Sequence, residues 1–251
     1  MKTAVAVAVA VLALPWSGLR APLAAQLPVE PREVRQLVTF RFLPGQTRAA
    51  LDLYRGFLVP IYREVEPMRT VRVFAEVESP EPLDLMVVTH YADMAGMDRA
   101  NRQLQQLPGD RPPIGELYRQ VADLSLGHHD QFVEVLSPPA FAAAPDGLLE
   151  VLEFLRVSAG AGAGFERQIL GAVHPWEQET PMRDLLVRSE TARFLVADGW
   201  DYLRTYAVRD LAAWQAYTAA RARHPAAFAT NRVVEARKTI ILRESPDLRV
   251  R

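Results

Sequence analysis

Cysteine is absent from the 251 residues, and lysine occurs only as Lys2 and Lys238 among 29 basic residues. The first absence excludes disulfides, zinc–thiolate sites and thiol nucleophiles. Lysine is scarce along the whole chain and not only at particular positions, so its scarcity reflects overall composition rather than a particular chemistry. An excess of charge is also lacking, because 30 acidic residues bring the formal net charge to -1. Without a basic cluster, we expect no nucleic-acid partner.

The N-terminus has the order of features that is typical of a signal peptide. Lys2 precedes an apolar run over residues 4–14, and a stretch of small residues ends just before Gln26. The run is too short for a membrane-spanning helix, which needs about 20 residues. We expect residues 1–25 to be removed and the mature protein to be periplasmic or secreted; an uncleaved anchor is the alternative. No later segment is apolar enough to predict a membrane span.

The rest of the chain contains the same landmarks twice, at offsets of 115, 115, 114, 115 and 108 residues. In the first half they are Gly56, Pro60, Pro67-Met68-Arg69, Tyr91-Ala92 and Ser137-Pro138. In the second half they are Gly171, Pro175, Pro181-Met182-Arg183, Tyr206-Ala207 and Ser245-Pro246. Five matches in the same order indicate an internal duplication. We predict a first repeat over residues 32–138, a linker over 139–147 and a second repeat over 148–246.

The first repeat is predicted to have the order strand, helix, strand, strand, helix, strand. Runs rich in β-branched and aromatic residues predict its strands at residues 34–42, 71–77, 85–91 and 131–136. Apolar residues at helical spacing predict a helix over residues 51–65, which Pro60 should kink or interrupt. Asp93 is a suitable cap for the next helix, and a short helix is predicted around residues 114–121.

The second repeat follows the same order. Its strands are predicted near residues 150–157, 185–191, 201–208 and 239–243, and its helices over 165–176 and 210–223. Such a βαββαβ unit forms an antiparallel sheet with both helices on one face. The other face is apolar and must be covered, and two sheets closing face to face would cover it. The predicted fold class is α+β, with two tandem ferredoxin-like repeats forming one barrel.

Over residues 32–246, this duplicated element order resembles the dimeric α/β barrel superfamily. That superfamily includes cofactor-independent antibiotic-biosynthesis monooxygenases, NIPSNAP-type proteins, EthD-like proteins and the haem-binding chlorite dismutase group. The resemblance implies a barrel fold, and because most relatives use two chains for one barrel, it implies that this chain supplies both halves. Association of several such chains into a homo-oligomer is the alternative to a monomer.

The barrel interior is the expected ligand cavity. The offset of 115 maps Val87, Thr89 and Tyr91 onto Tyr202, Arg204 and Tyr206. One repeat is thus apolar where the other is polar and aromatic, which makes Tyr91, Tyr202, Arg204 and Tyr206 the candidate residues for a small apolar or weakly anionic ligand. The alternative is that Arg204 is solvated or paired with a carboxylate such as Glu190.

The histidines do not predict a metal site. His128 and His129 are adjacent, and neighbours on a strand point to opposite faces, so an exposed polar turn is favoured. His174 stands where the first repeat has Val59. In the chlorite-dismutase-like alternative it would be the axial haem ligand; otherwise it is a helix-end residue, as is His224.

The remaining motifs are weak. The segment Gly160-Ala161-Gly162-Ala163-Gly164 has GxGxG spacing rather than GxGxxG and lacks a βαβ context, which favours a flexible loop over a phosphate-binding loop. No serine–histidine–acid arrangement and no pair of carboxylates is spaced for catalysis, so the catalytic residues are unassigned.

Three functions follow as alternatives. The first is an exported small-molecule-binding α/β-barrel protein, with cofactor-independent oxygenase-like activity on an apolar substrate as an expectation from the resemblance. The second is a haem protein similar to chlorite dismutases, with His174 as ligand. The third is a non-catalytic association module. No cofactor is predicted outside the haem alternative.

Overall fold

The fold is known from a computed structural model, which describes residues 32–107, 112–137, 147–196, 199–225 and 230–250. The predicted signal peptide and nearly all of the predicted linker lie outside these described residues. Among the helices that the structure describes, none has both the length and the apolar character needed to cross a bilayer.

Antiparallel strands form a closed barrel in the described part of the chain. They are β1 Val34–Phe42, β2 Met68–Glu78, β3 Leu85–Tyr91, β4 Ser125–Val135, β5 Leu149–Val157, β6 Leu186–Val196, β7 Tyr202–Val208 and β8 Val234–Glu244. Their order around the barrel is β1-β3-β2-β8-β5-β7-β6-β4. Each repeat supplies a four-stranded sheet, and the sheets join at their edges through the β2–β8 and β4–β6 pairs. The predicted α+β barrel is confirmed, with its two halves hydrogen-bonded into one ring.

Short helices pack on the outside of the barrel. They are α1 Thr47–Leu53, α2 Val59–Glu64, α3 Met94–Gln105, α4 Ile114–Asp123, α5 Gly162–Gln168, α6 His174–Glu177, α7 Met182–Leu185 and α8 Leu211–Arg221. The caps of α3 and α8 are equivalent: Asp93 accepts from the N–H of Gly96 at 2.6 Å, and Asp210 from that of Ala213 at 2.8 Å. Side-chain caps of this kind satisfy backbone donors that a helix start leaves free.

Both repeats contain the same irregularity in their first helix. A π-helical segment, Tyr54–Leu58, joins α1 to α2, and a second one, Ile169–Val173, joins α5 to α6. Pro60 and Pro175 follow these segments, and neither can donate to the carbonyl four residues earlier. The interruption predicted at Pro60 is therefore a π segment, after which the helix continues.

The register of the two repeats differs from the alignment of their sequences. Val34 pairs with Tyr91 across β1 and β3, while Leu149 pairs with Val208 across β5 and β7. The offset is thus 115 for the first strand but 117 for the third, so the predicted offset of 115 at the third strand is wrong. The structural equivalents of Tyr202, Arg204 and Tyr206 are Leu85, Val87 and Thr89. The helix α7 precedes β6, whereas no described helix stands between α2 and β2.

Alternation along the strands separates an inner from an outer core. Side chains inside the barrel pack together as one apolar cluster of Leu37, Phe74, Met86, Val133, Leu152, Phe154, Ala192, Leu203, Ile240 and Leu242. The alternate residues of the same strands pack against the helices. A barrel of eight strands is just wide enough for side chains to fill it, so the interior is a packed core.

One end of the barrel is closed by ion pairs, and we call it the charged end. Its contacts are Arg35 to Glu190 at 2.5 Å, Arg72 to Glu244 at 2.7 Å, Arg72 to Glu150 at 3.2 Å, and a hydrogen bond from Arg188 to Glu150. Each of these side chains is less than a seventh exposed. The other end opens to solvent.

Two segments, one predicted to be an exposed turn and the other a flexible loop, contain regular structure. β4 begins at Ser125, so His128 and His129 lie on a strand; the His128 ring is 5.9 Å from the ring of Phe40. The glycine segment enters α5 at Gly162, where an added Cβ would lie 2.9 Å from the Tyr202 hydroxyl. That glycine allows a helix to approach β7 closely.

Candidate functional site

The predicted ligand residues do not line the barrel interior. Tyr206 packs with the helices outside the second sheet, Tyr202 packs against α5, and their neighbour Leu203 points inward. Tyr91 packs in the outer layer of the first repeat, so the structure does not bring it together with the other three residues. The predicted location is wrong because alternation shows which residues share a face, but not which face is inside.

A buried polar group lies in the outer layer of the second repeat, around Glu153 on β5. Arg221 of α8 donates to both of its carboxylate oxygens, at 2.6 and 2.7 Å, and the Tyr206 hydroxyl donates at 3.0 Å. Arg237 of β8 adds a longer contact of 3.4 Å. Glu153 is 2% exposed, so its negative charge is stabilised by these protein groups rather than by hydration.

A second buried pair adjoins the first. Arg204 donates to both oxygens of Glu177 at 2.9 and 2.7 Å, and the Tyr217 hydroxyl also donates to Glu177. Arg204 is therefore paired, as the alternative expected, but its partner is Glu177; Glu190 instead binds Arg35. We call Glu153, Glu177, Arg204, Tyr206, Tyr217 and Arg221 the polar cluster.

The first repeat has apolar or aromatic residues at most of the equivalent positions. An offset of 115 applies to the first strand and helix, and 117 to β7 and α8. Glu153, Glu177, Arg204, Tyr217 and Arg221 then correspond to Val38, Tyr62, Val87, Ala100 and Leu104. Burying a charge is costly even when it is paired. Because the same fold is built without these charges in the first repeat, the polar cluster is a candidate functional site.

The electrostatics of the cluster keep its carboxylates ionised. Burial acts to raise the pKa of Glu153, but Arg221 opposes it and the pKa lies at about 2. Burial is likewise outweighed at Glu177, where Arg204 lowers the pKa. Burial raises the pKa of the Tyr206 and Tyr217 hydroxyls. At neutral pH both tyrosines are neutral donors, and neither carboxylate is a strong base.

A cleft of about 750 Å³ opens beside the polar cluster, between α8 and β8. Its floor is formed by Glu153 and Arg221, and its walls include Trp214, Arg237 and Ile241. This volume is typical of small-molecule sites. Arg204 lies outside the cleft and instead lines a separate cavity of only about 10 Å³.

The cleft offers donors as well as an apolar wall. Arg237 has five N–H groups, of which two are used in described hydrogen bonds, to Glu153 and to Asn231. Trp214 packs against Tyr206 at a ring distance of 5.1 Å, which holds its indole in place. The arrangement can bind and orient a molecule that carries an acceptor group and an apolar body.

The tyrosines of the first repeat form a different group. Tyr91 donates to Gln36 at 3.4 Å, and Tyr62 and Tyr118 are 3.3 Å apart at their hydroxyls. Burial raises the pKa of Tyr91 and Tyr62. Among the described hydrogen bonds, none joins these hydroxyls to a charged side chain; Asp130 is linked to Tyr91 through Gln36, which donates to it at 2.8 Å.

The residues around His174 do not fit a haem. Its Nε2 lies 2.9 Å from the Thr191 hydroxyl and its Nδ1 lies 3.3 Å from the Ser189 hydroxyl. Burial lowers its pKa to about 4. Both ring nitrogens are engaged, and His174 is only 5% exposed, so neither nitrogen faces space for a macrocycle, which needs a pocket of several hundred Å³. We therefore assign no haem site to His174.

The described residues also contain no group of three or more metal-ligating side chains. His224 stacks on Trp176, with 4.4 Å between ring centroids. His128 and His129 lie on opposite faces of β4, as neighbours on a strand must.

Comparison with known proteins supports the fold. No family model matches the chain, and no curated protein matches it. A solved structure of a proposed monooxygenase from Lactobacillus acidophilus NCFM matches with a TM-score of 0.59 and 7% identity, covering 85% of this chain and 94% of that one. An anthrone oxidase-like protein matches with a TM-score of 0.57 and 12% identity, over 84% and 91%. A mutant chlorite dismutase from Candidatus Nitrospira defluvii matches with a TM-score of 0.56 and 12% identity, over 89% and 96%. The TM-scores show that these proteins share the barrel fold of this chain, and at 7–12% identity they show no more than the fold.

Sequence reasoning found two members of the polar cluster, Arg204 and Tyr206, and missed the others. Glu153 and Arg221 were missed because a charge on a strand or helix is normally read as solvated. The available signal was a comparison of the repeats at the correct offset, where Glu153 replaces a valine and Arg221 replaces a leucine.

Proposed function

We propose that this protein binds a small organic anion in the cleft of the second repeat. The observation that carries the proposal is the replacement of apolar residues of the first repeat by the polar cluster, directly beneath a cleft of about 750 Å³. The ligand has a carboxylate or phenolate, bound by Arg237, and an apolar body that packs on Trp214 and Ile241. This deepens the expectation of a small apolar or weakly anionic ligand.

The ligand must arrive already ionised. The pKa of about 2 makes Glu153 a weak proton acceptor at neutral pH, and the hydroxyl of Tyr206 stays protonated because burial raises its pKa. The polar cluster therefore orients Arg221 and the cleft surface rather than removing a proton from the ligand. Both carboxylates of the cluster serve to hold guanidinium groups in fixed positions.

A second candidate is cofactor-independent oxygenase-like activity on an electron-rich apolar substrate in the same cleft. It is supported by the names of two solved structures of the same fold, a proposed monooxygenase and an anthrone oxidase-like protein. It is also the activity expected from the resemblance to antibiotic-biosynthesis monooxygenases and NIPSNAP-type proteins. Oxygen consumption with anthrone and hydroxynaphthoquinone substrates, in the absence of metal and flavin, tests it. We further propose that the protein acts after export.

Calorimetric titration with aromatic and aliphatic carboxylates and phenolates tests the binding proposal. Arg237→Gln should weaken anion binding about tenfold, because a charge-assisted hydrogen bond is lost. Its side chain is 31% exposed, so the fold should be retained. The matched control is Arg243→Gln, an exposed arginine on the same strand that does not line the cleft. Equal affinities in Arg237→Gln and Arg243→Gln would reject the cleft as the site.

A further inference from the structure

The open end of the barrel contains a second large cavity, of about 740 Å³, which we call the barrel mouth. It lies at the open end of the ring of strands, above the packed interior, whereas the cleft lies on the outer face of the second sheet, and no residue lines both. Thr39 and Gln131 come from the first repeat, and Phe154, Trp200 and Lys238 from the second. A ligand here would contact both halves of the duplication.

One polar side chain of the barrel mouth, Gln131, has no hydrogen-bond partner among the described residues. Gln131 is only 5% exposed as a residue, and no described hydrogen bond joins its side-chain amide to another residue. Its amide atoms are not among the described side-chain atoms that are both sealed from solvent and without a partner, so they remain accessible from the cavity. Because Gln131 lines the barrel mouth, its unused donors and acceptor are available to a molecule bound there.

Arg41, at the rim, contrasts with the arginines of the charged end, each of which has a carboxylate partner. Arg41 lines the barrel mouth, is exposed, and has no ion-pair or hydrogen-bond partner among the described residues. Lys238 binds Glu81, whose side chain is 76% exposed. The charged residues that line the barrel mouth are Arg41, Lys238 and Glu81, and together they carry a net charge of +1 when the histidines are not counted.

Between the buried Gln131 and the cations of the rim, the wall of the barrel mouth is aromatic. Phe154 lies edge-to-face with Trp200 at 6.0 Å and stacks on Phe194 at 5.7 Å. The ammonium of Lys238 is 5.8 Å from the centre of the Phe154 ring. Aromatic rings held in this way provide a rigid apolar surface for another ring.

We propose that the barrel mouth binds a hydroxylated aromatic carboxylate. The carboxylate pairs with Arg41 and Lys238, the ring packs on Phe154 and Trp200, and the hydroxyl bonds with the amide of Gln131. The three parts of the ligand thus match the two cations of the rim, of which Lys238 exchanges the exposed Glu81 for the ligand, the aromatic wall and the amide of Gln131. This site is independent of the cleft, so either can exist without the other.

Calorimetric titration with 6-hydroxy-2-naphthoate, 2-naphthoate and 2-naphthol tests the proposal on the whole protein. Arg41→Gln should weaken the binding of both carboxylates about tenfold and leave 2-naphthol unchanged. Arg41 is exposed and unpaired, so its replacement should not affect folding. Gln131→Leu should weaken 6-hydroxy-2-naphthoate about tenfold but leave 2-naphthoate unchanged, a difference that misfolding would not produce.

Arg237→Gln serves as the control, because it changes the cleft alone and should leave all three affinities unchanged. Trp200→Phe should remove the ligand-dependent change in tryptophan emission, whereas Trp214→Phe, in the cleft, should keep it. The proposal is overturned if 6-hydroxy-2-naphthoate does not bind at about 1 mM, or if Arg237→Gln rather than Arg41→Gln weakens it. The second result would place the probe in the cleft.

Discussion

Arg221 of α8 and Glu153 of β5 form a pair with two hydrogen bonds, at 2.6 and 2.7 Å. In the first repeat the equivalent residues are Leu104 and Val38, which pack in the apolar layer between helix and sheet. The same place in the fold therefore accepts either an apolar contact or a buried ion pair. Since the apolar version suffices for folding, the charged version points to a role in the cleft above it.

Arg221→Leu should destabilise the protein far more than Arg221→Leu combined with Glu153→Val. The single change leaves a buried carboxylate without its main partner, which typically costs about 3–5 kcal/mol. The double change restores the pair found in the first repeat, and replacing both partners of a buried pair is often nearly neutral. Urea unfolding of the four proteins of this double-mutant cycle measures the difference.

The Tyr206 hydroxyl also donates to Glu153 and loses this acceptor in the double variant. Adding Tyr206→Phe controls for that loss. A double variant as unstable as Arg221→Leu alone would show that the two repeats are not interchangeable at this place.

The free energy of unfolding should decrease as the pH falls from 6.5 to about 4. Burial lowers the pKa of His90 and of His174 from 6.5 to about 4. Between these values the unfolded chain binds a proton at each histidine and the folded chain does not, so stability is fully present above pH 6.5 and declines through this window. Each shift corresponds to at most about 3 kcal/mol. Urea unfolding at pH 7 and pH 4.5 measures the decline.

His174→Gln should reduce the pH dependence without removing it, because His90 still contributes. His128→Gln is the control, since that side chain is half exposed. A carboxylate whose pKa is lowered by folding, such as Glu153, loses its contribution to the free energy of unfolding mainly below this pH range. A stability that is flat between pH 7 and pH 4.5 would contradict the burial of both imidazoles as neutral rings.

The sequence predicted the strands well where side-chain pattern and turn residues agree. β1 and β3 have the predicted bounds, residues 34–42 and 85–91, because their β-branched runs end at turn residues. β4 starts six residues earlier than predicted, since its polar first half is held by pairing with β1 rather than by an apolar pattern. Local pattern could not predict a strand that is stabilised by its neighbour.

The candidate site was harder to predict because it depends on the offset that aligns the two repeats and on which face of each strand lies inside the barrel. The match of Tyr91 with Tyr206 is two residues out of register, which hid the exchange of Val87 for Arg204. A one-residue or two-residue drift changes every inferred pair while leaving the predicted elements intact. Only the barrel itself shows that Arg204 faces the helices.

A half-length chain, residues 26–139, should not be a stable monomer. In the whole protein the edges β2 and β4 pair with β8 and β6, and the inner face of the first sheet packs against the second. The fragment would expose two unpaired edges and an apolar face, both of which favour association. Size-exclusion chromatography with light scattering should show a dimer or aggregate; a monodisperse monomer with native circular dichroism would contradict this.

The mature chain should begin at or near Gln26. This prediction depends on the positive start, the short apolar run and the alanine-rich end of the first 25 residues. Intact-mass spectrometry of the protein recovered from a secreting or periplasmic host measures the N-terminus. Material that retains residues 1–25 would show that they form an anchor or a part of the protein itself.

Arg204→Met should destabilise the protein and yet leave binding in the cleft unchanged. The sequence had instead made Arg204 a candidate ligand residue of the barrel interior, where its replacement would abolish binding. In the structure its partner is Glu177, which is fully buried, so the variant leaves a carboxylate without its charge partner at a cost of about 3–5 kcal/mol.

Arg204→Met combined with Glu177→Gln should recover much of this loss, because a neutral amide can still accept from the Tyr217 hydroxyl. Since Arg204 does not line the cleft, the affinity of the folded double variant for a cleft anion should stay within about twofold of the wild type, a change of less than about 0.5 kcal/mol. Unfolding and calorimetric titration of the same samples separate the two properties. If the folded double variant no longer binds the anion, Arg204 is part of the ligand site after all. The binding site would then have to extend from the cleft to Glu177.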